Sequence, residues 1–450
     1  MFRSVIALTL GAGMLVATPA TATAAPVDVA PQKVVTAYFT DWSVYGRGYF
    51  VKDIPADKLN VIQYAFGVPT FDQATGAVGC SVLDPWADFQ QVYWSGENTV
   101  DGIADNYPDQ HLYGNFNQLR KLKAAHPELK VEISLGGWTK STWFAEVSKT
   151  AARRQAFVKA CIDTFIKGDL PTGGWPENAG GPGAAAGIFD GIDLDWEYPT
   201  ALAGGNIGYG PQDRHNATLL AKEFRSQLDA LGATTGKHYL LTAALPASKN
   251  SQKYYQLAEF VKSLDWVNIM SYDFNVPGGS VAGPDTLFTL DPRDPSFPDW
   301  TWNTVGTVTY YLVQGVPRNK IVVGVPFYGN QYVRNDAGLY GAFDNTGLDP
   351  NSLEWNVKPQ PSYHDLVDVA GIVNANGYTR QWNAFAGEPY LTNPNAQFGR
   401  PATIVYSDPQ SIGERTQLIK LLGLRGAMAW ELSQDSNDHA LIGALSPVLN

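Results

Sequence analysis

The chain is poor in the residues that build metal and redox centres. Its 450 residues include two cysteines, six histidines and four methionines. Neither CxxC nor HExxH spacing occurs, which argues against a zinc site or dithiol chemistry. Charge is also sparse. Charged residues make up 17% of the chain, and acids outnumber bases 43 to 32, for a formal net charge of -11. Such a surface is repelled by phosphate backbones and anionic lipid, so neither nucleic acid nor membrane is an expected partner. A neutral substrate fits better. Long apolar runs are missing too. The run Val5 to Val16 is too short to span a bilayer. With Arg3 before it and Ala22-Thr23-Ala24 after it, residues 1–24 read as a secretory signal peptide. The expectation is a soluble, extracellular monomer. Export permits a disulfide between Cys80 and Cys161. Cys161 lies in "AFVKACIDTFI", an amphipathic helix pattern, so a free, buried thiol is expected. No internal repeat and no Ser/Thr/Pro-rich linker marks a second module.

Aromatic residues are plentiful, at 12% with 13 Trp and 22 Tyr, enough for a large core. Short apolar runs recur along the chain: "VVTAYF", "LNVIQYAFG", "KVEISLGGW", "GIFDGIDLDWE", "YLLTAALPAS", "DWVNIMSYDF", "KIVVGVPFYG" and "RGAMAWEL". Stretches with helical spacing, such as "FNQLRKLKAAH" and "ATLLAKEFRSQLDAL", lie between them. Eight alternating strand–helix units predict an α/β fold, a closed (β/α)8 TIM barrel with its site at the C-terminal strand ends. The barrel is expected over 25–330 and 401–450. Residues 331–400 separate the last two runs by too much for one crossover and read as a small α+β insertion. The Gly/Pro-rich stretch 170–187 precedes a strand and reads as punctuation on the barrel's bottom face.

One run concentrates acid. "FDGIDLDWEYP" carries Asp190, Asp193, Asp195 and Glu197. A strand alternates faces with period two, so Asp193, Asp195 and Glu197 share one face. Ile192, Leu194 and Trp196 share the other, which must meet the helices. The acids therefore point into the barrel. Asp190 is out of phase and reads as structural. Buried acids need partners, and inward positions of other runs offer them: Thr36 and Tyr38, Glu132 and Ser134, Asn268 and Tyr272. Crowded carboxylates cannot all ionise, so at least one stays protonated near neutral pH. Glu197, at the top, is the candidate proton donor. A cation held by the acids is the competing reading, but EF-hand spacing is absent and no histidine lies nearby.

These residues are familiar. "DGIDLDWE" resembles the DxxDxDxE signature of the family-18 glycoside hydrolases, the chitinases. "SLGGWTKST", "MSYDF", "GVPFYG" and "AMAWELS" are similar to further family motifs, in order, from about residue 33 to 447. The insertion resembles that of the deep-cleft bacterial subfamily. The resemblance implies that Glu197 protonates the glycosidic oxygen and that Asp195 orients the substrate's acetamido group. It implies that Asp193 shares a proton with Asp195, supported by Ser134 and Tyr38. Tyr272 is implied as the donor to the acetamido oxygen, with Met270 and Asp273 lining the −1 site. Trp430 is implied as the floor beneath that sugar and Trp138 as a platform just outside it. The substrate implied is chitin and chito-oligosaccharides, cleaved with retention by a substrate-assisted route that needs no metal or other cofactor. Two alternatives share the barrel: an endo-β-N-acetylglucosaminidase acting on glycoprotein glycans, and a chitin-binding lectin. Such lectins lose the catalytic acid, and Glu197 is present. The chain departs from the family after "GVPFYG", where Asn330, Gln331 and Tyr332 stand in place of the usual Arg-x-Trp.

Overall fold

A computed structural model describes residues 29–296 and 298–450; the expected signal peptide lies outside them. Among the described residues, thirteen strands form in chain order. These are β1 (Val34–Thr40), β2 (Val61–Phe71), β3 (Val78–Val82), β4 (Lys130–Gly136), β5 (Gly191–Asp195), β6 (Leu240–Pro246) and β7 (Trp266–Met270). Then come β8 (Ile321–Pro326), β9 (Gly329–Val333), β10 (Thr379–Asn383), β11 (Glu388–Asn393), β12 (Ala402–Tyr406) and β13 (Gly426–Trp430). Parallel pairing runs β1, β2, β4, β5, β6, β7, β8, β13 and back to β1. The sheet is closed. Each of the eight sequence runs supplies one barrel strand, and the expected (β/α)8 barrel is the observed fold.

The period-two pattern decides what faces where. The outward residues Val35, Ala37, Ile62, Ile133, Ile192, Leu241, Val267 and Val323 are all buried under the helices. Inside, Val34, Val61, Leu240, Trp266 and Val322 form an apolar plug. Higher up, the interior turns polar, with Thr36, Gln63, Glu132, Ser134, Asp193, Thr242 and Asn268 each at 0% exposure. A dry lower layer beneath a polar one keeps bulk water from reaching the acids from below.

β2 is eleven residues long and outruns the barrel; β3 folds back on it antiparallel. That return lays Cys80 on the helix Ala151–Cys161, with Cα atoms 5.0 Å apart, and the two cysteines are bonded. The free thiol expected for Cys161 is therefore wrong. Helical periodicity gave its burial, but nothing local revealed which strand would cover it.

Between β8 and the helix Pro409–Leu422, strands β9 to β12 form a separate antiparallel sheet in the order β10, β11, β12, β9. Pairing extends from Gly329 to Tyr406, so β9 crosses the expected limit of 331 and β12 lies beyond the expected limit of 400. The fully buried Arg415 ties this unit to the barrel by donating to the carbonyls of Gly387, Ala386 and Thr286. The 170–187 stretch is also more than punctuation. Its Trp175 packs against Trp86, Trp94 and Tyr107, and Gln90 donates to the Gly173 carbonyl at 3.0 Å. It is docked on the long connection between β3 and β4. Among the described residues, no helix is long and apolar enough to cross a membrane.

Candidate active site

β5 carries the acids because its alternation matches its two surroundings. Ile192 and Leu194 enter the helix-facing core, and Asp193 and Asp195 enter the barrel. The neighbouring strand approaches closely at Gly136, whose φ is +105°. A Cβ there would sit 2.5 Å from the Asp195 carbonyl oxygen and 2.6 Å from the Phe144 ring, so only glycine fits. The next residue, Gly137, donates its N–H to that same carbonyl at 2.8 Å. Ser141 accepts from the Glu197 N–H at 2.9 Å, which fixes the chain just past the strand.

Asp193 is the best-satisfied acid. Its Oδ2 faces Tyr38 OH at 2.9 Å and Ser134 Oγ at 2.8 Å. Its Oδ1 faces Thr242 Oγ1 at 2.6 Å and Asn268 Nδ2 at 3.3 Å. Burial raises its pKa above the usual carboxylate range, while these four contacts oppose the rise. Asp195 has no such cradle. It is 4% exposed, and its Oδ1 is buried without a partner. Burial, then Glu197, then Asp193 push its pKa well above the ordinary value. Glu197 is 7% exposed. Burial pushes it up to about 7, with a hydrogen bond from Tyr198 opposing and the charge of Asp273 assisting. Three carboxyls in a dry stack cannot all be anions. The column therefore holds protons at neutral pH, and its uppermost member titrates where an acid catalyst is most effective.

The remaining expected residues surround this column. Tyr272 is half-buried beyond the end of β7, its hydroxyl kept protonated by burial and by the nearby charges of Asp195 and Glu197. Asp273 opens toward solvent at the rim and accepts from Tyr328 OH at 2.8 Å. Met270 and Trp430 are partly buried and pack on the interior cluster with Tyr38 and Phe66. Trp430 lies 5.1 Å from the Tyr38 ring and stacks on Phe66 at 6.0 Å and 23°. Trp138 is 52% exposed and meets Tyr198 edge-on at 6.5 Å. Asp190 stands apart: it pairs with Lys123 at 2.6 Å and accepts from the Val131 N–H at 2.8 Å. Asn330, Gln331 and Tyr332 are wholly buried. They anchor the inserted sheet, donating to the carbonyls of Asn275, Lys358 and Gly283. Among the described residues, no group of three or more His, Cys, Asp or Glu is placed to hold a metal ion.

The family model for "Glycosyl hydrolases family 18" matches residues 34–435. The chain belongs to this family. It is 35% identical over 445 residues to "Chitinase A1" of Niallia circulans, covering 92% of this chain and 58% of that protein. "Chitinase C" of Streptomyces lividans is 32% identical, covering 90% and 58%. The chain thus spans about three-fifths of the length of these curated relatives. Among solved structures, the catalytic domain of the psychrophilic chitinase B from Arthrobacter TAD20 superposes with a TM-score of 0.81 at 34% identity. That match covers 94% of this chain and 97% of the other.

Sequence reasoning missed several groups that this family-18 site uses structurally. Thr242, in "YLLTAALP", holds Asp193 from β6. Its hydroxyl at an inward position of an otherwise apolar run was the available signal. Ser141 accepts from the Glu197 backbone N–H and Tyr198 bonds its carboxyl, and Tyr328 donates to Asp273. These three lie beyond strand ends, where period-two reasoning stops.

Proposed function

We propose that the protein is an exported chitinase that hydrolyses β-1,4 bonds between N-acetylglucosamine units with retention, using the substrate's acetamido oxygen as nucleophile. The observation that carries this reading is the column itself: a neutral Glu197 above an Asp195 whose Oδ1 lacks a donor. Glu197 gives its proton to the glycosidic oxygen as the bond breaks. Asp195, two residues earlier on the same face, approaches from the same side, with Cα atoms about 6.5–7 Å apart along the strand. It is badly placed for backside attack. The acetamido carbonyl of the −1 sugar attacks instead and closes an oxazolinium ring. The acetamido N–H supplies the donor that Asp195 lacks, and the carboxylate balances the developing positive charge. Tyr272 donates to the acetamido oxygen. Water, deprotonated by the ionised Glu197, then opens the ring. When Asp195 turns to the substrate as the carboxylate, Asp193 takes up the shared proton or a hydrogen bond within its ring of hydroxyls.

Trp430 forms the floor of the −1 site and Trp138 a platform outside it. In this reading the inserted sheet forms one wall of a cleft for a polymer, which favours chitin over glycoprotein glycans. No cofactor enters the chemistry. The Cys80–Cys161 bond suits a protein that leaves the cytoplasm. The test uses defined, partly deacetylated oligomers with NMR of the earliest products. Cleavage is expected only where the −1 sugar is N-acetylated, with the β-anomer appearing first. Efficient cleavage after a glucosamine unit, or α-anomer first, removes substrate assistance.

A further inference from the structure

Below the catalytic acids lies a carboxyl that the proposed reaction does not use. Glu132, on β4, is fully buried. Among the described residues, the one hydrogen-bond partner of its carboxyl is Thr242 Oγ1, at 3.1 Å from Oε1; Oε2 has none. The adjacent inward residue, Gln63, also has both amide atoms unpartnered. An ionised carboxylate with a single donor in a dry interior costs far more than its neutral form.

Thr242 Oγ1 also lies 2.6 Å from Asp193 Oδ1. A hydroxyl has one proton to give and accepts through its lone pairs. It cannot donate to both carboxyls at once. If it donates to Asp193, Glu132 must donate to it and carry a proton. If it donates to Glu132, Asp193 must carry the proton. Asp193 faces three further donors, Tyr38, Ser134 and Asn268, and Glu132 faces no other, so the charge belongs on Asp193.

We propose that Glu132 is a protonated positioning residue, a fourth and lowest member of the acid column, which is linked to Asp193 through the Thr242 hydroxyl. This rests on the proposed reaction, with Asp193 and Asp195 sharing a proton. In the resting enzyme the neutral Glu132 O–H points at Thr242, and the Thr242 O–H points at Asp193. When Asp195 turns to the substrate as a carboxylate and leaves the shared proton on Asp193, the chain from Glu132 through Thr242 to Asp193 keeps its direction, and no charge passes to Glu132, which has no other donor to hold it. The acids nearest this pair are already engaged. Asp265 is held by His238 and Arg225, Asp190 by Lys123, and Tyr38 by Asp193 itself. Burial and the charge of Asp193 act in the same direction on Glu132, both raising its pKa.

Two measurements test this. The first is the infrared difference spectrum of free wild-type enzyme minus Glu132→Gln at about pH 8, well above the ordinary Glu pKa of about 4.3. A neutral carboxylic acid C=O band belonging to Glu132 is expected. A carboxylate band in its place overturns the proposal. The second is the pH dependence of kcat/KM on a chito-oligosaccharide. Thr242→Val removes the bridge while keeping the shape, and Thr242→Ser restores a hydroxyl. With one donor to a charged group lost, the acidic limb of the valine variant should rise by about one pH unit, and serine should bring it back. Coincident acidic limbs for valine and serine overturn the coupling. The infrared band is read without substrate. A present band with failed acetamido dependence therefore faults the proposed reaction, and an absent band with intact acetamido dependence faults the Glu132 proton.

Discussion

Removing the proton of Glu197 without changing its shape is the sharpest perturbation of this site. Burial pushes its carboxyl up to about 7, against about 4.3 for a glutamate in open chain. That difference corresponds to roughly 3–4 kcal/mol against ionisation in place. At about pH 6 roughly nine-tenths of the molecules then hold the proton, and at about pH 8 roughly one-tenth. Wild-type kcat/KM should therefore fall about tenfold per pH unit above neutrality. Glu197→Gln keeps the volume, and the Ser141 contact to its backbone N–H is untouched. It removes a general acid, which is worth about 10²–10⁴ in rate. Hydrolysis of chitohexaose should drop at least about 100-fold, while calorimetric titration shows the oligomer still binds. The residual rate should lack the alkaline limb, because the group that produced it is gone. Near-wild-type turnover, or an alkaline limb that survives in the variant, would refute the assignment of Glu197 as the acid.

Three further outcomes are expected. Asp193→Asn should displace the acidic limb of the wild-type pH profile more than the alkaline one, since the charge of Asp193 raises the pKa of Asp195; kcat/KM profiles of both proteins decide it. Replacing Cys80 and Cys161 together by serine opens a link across a separation of 81 residues and should cost about 2–5 kcal/mol of stability in urea unfolding; an unchanged midpoint would mean the bond does not constrain the chain. Stability should also fall as pH rises from about 5 to 8. Asp41 and Glu197, each raised to about 7, and Glu388, raised to about 8, are all pushed up by burial. A carboxyl with a folded pKa above its unfolded one contributes fully below the unfolded value and loses that contribution as pH passes the folded one. A melting temperature that climbs steadily from about pH 5 to 8 would contradict these shifts.

Much of this was legible in the chain because strands have a fixed two-residue period. "GIDLDWE" states its own orientation: Ile192 and Leu194 can face only helices, so Asp193 and Asp195 can face only the barrel interior. The same parity placed Tyr38, Ser134 and Asn268 around Asp193, where they are found. The eight repeating runs matched the eight barrel strands. What local pattern could not decide was proximity between residues far apart in sequence. The Cys80–Cys161 bond depends on β3 folding back across the helix that carries Cys161. Tyr198, Ser141 and Tyr328 lie beyond strand ends, where no period tells a side chain's direction. Thr242 could be placed inward by parity, but that its one hydroxyl bridges Asp193 and Glu132 follows from barrel closure, which sets the register Ser134, Asp193, Thr242 across three strands. Sequence determined which side chains enter the barrel; the closed sheet determined which of them meet.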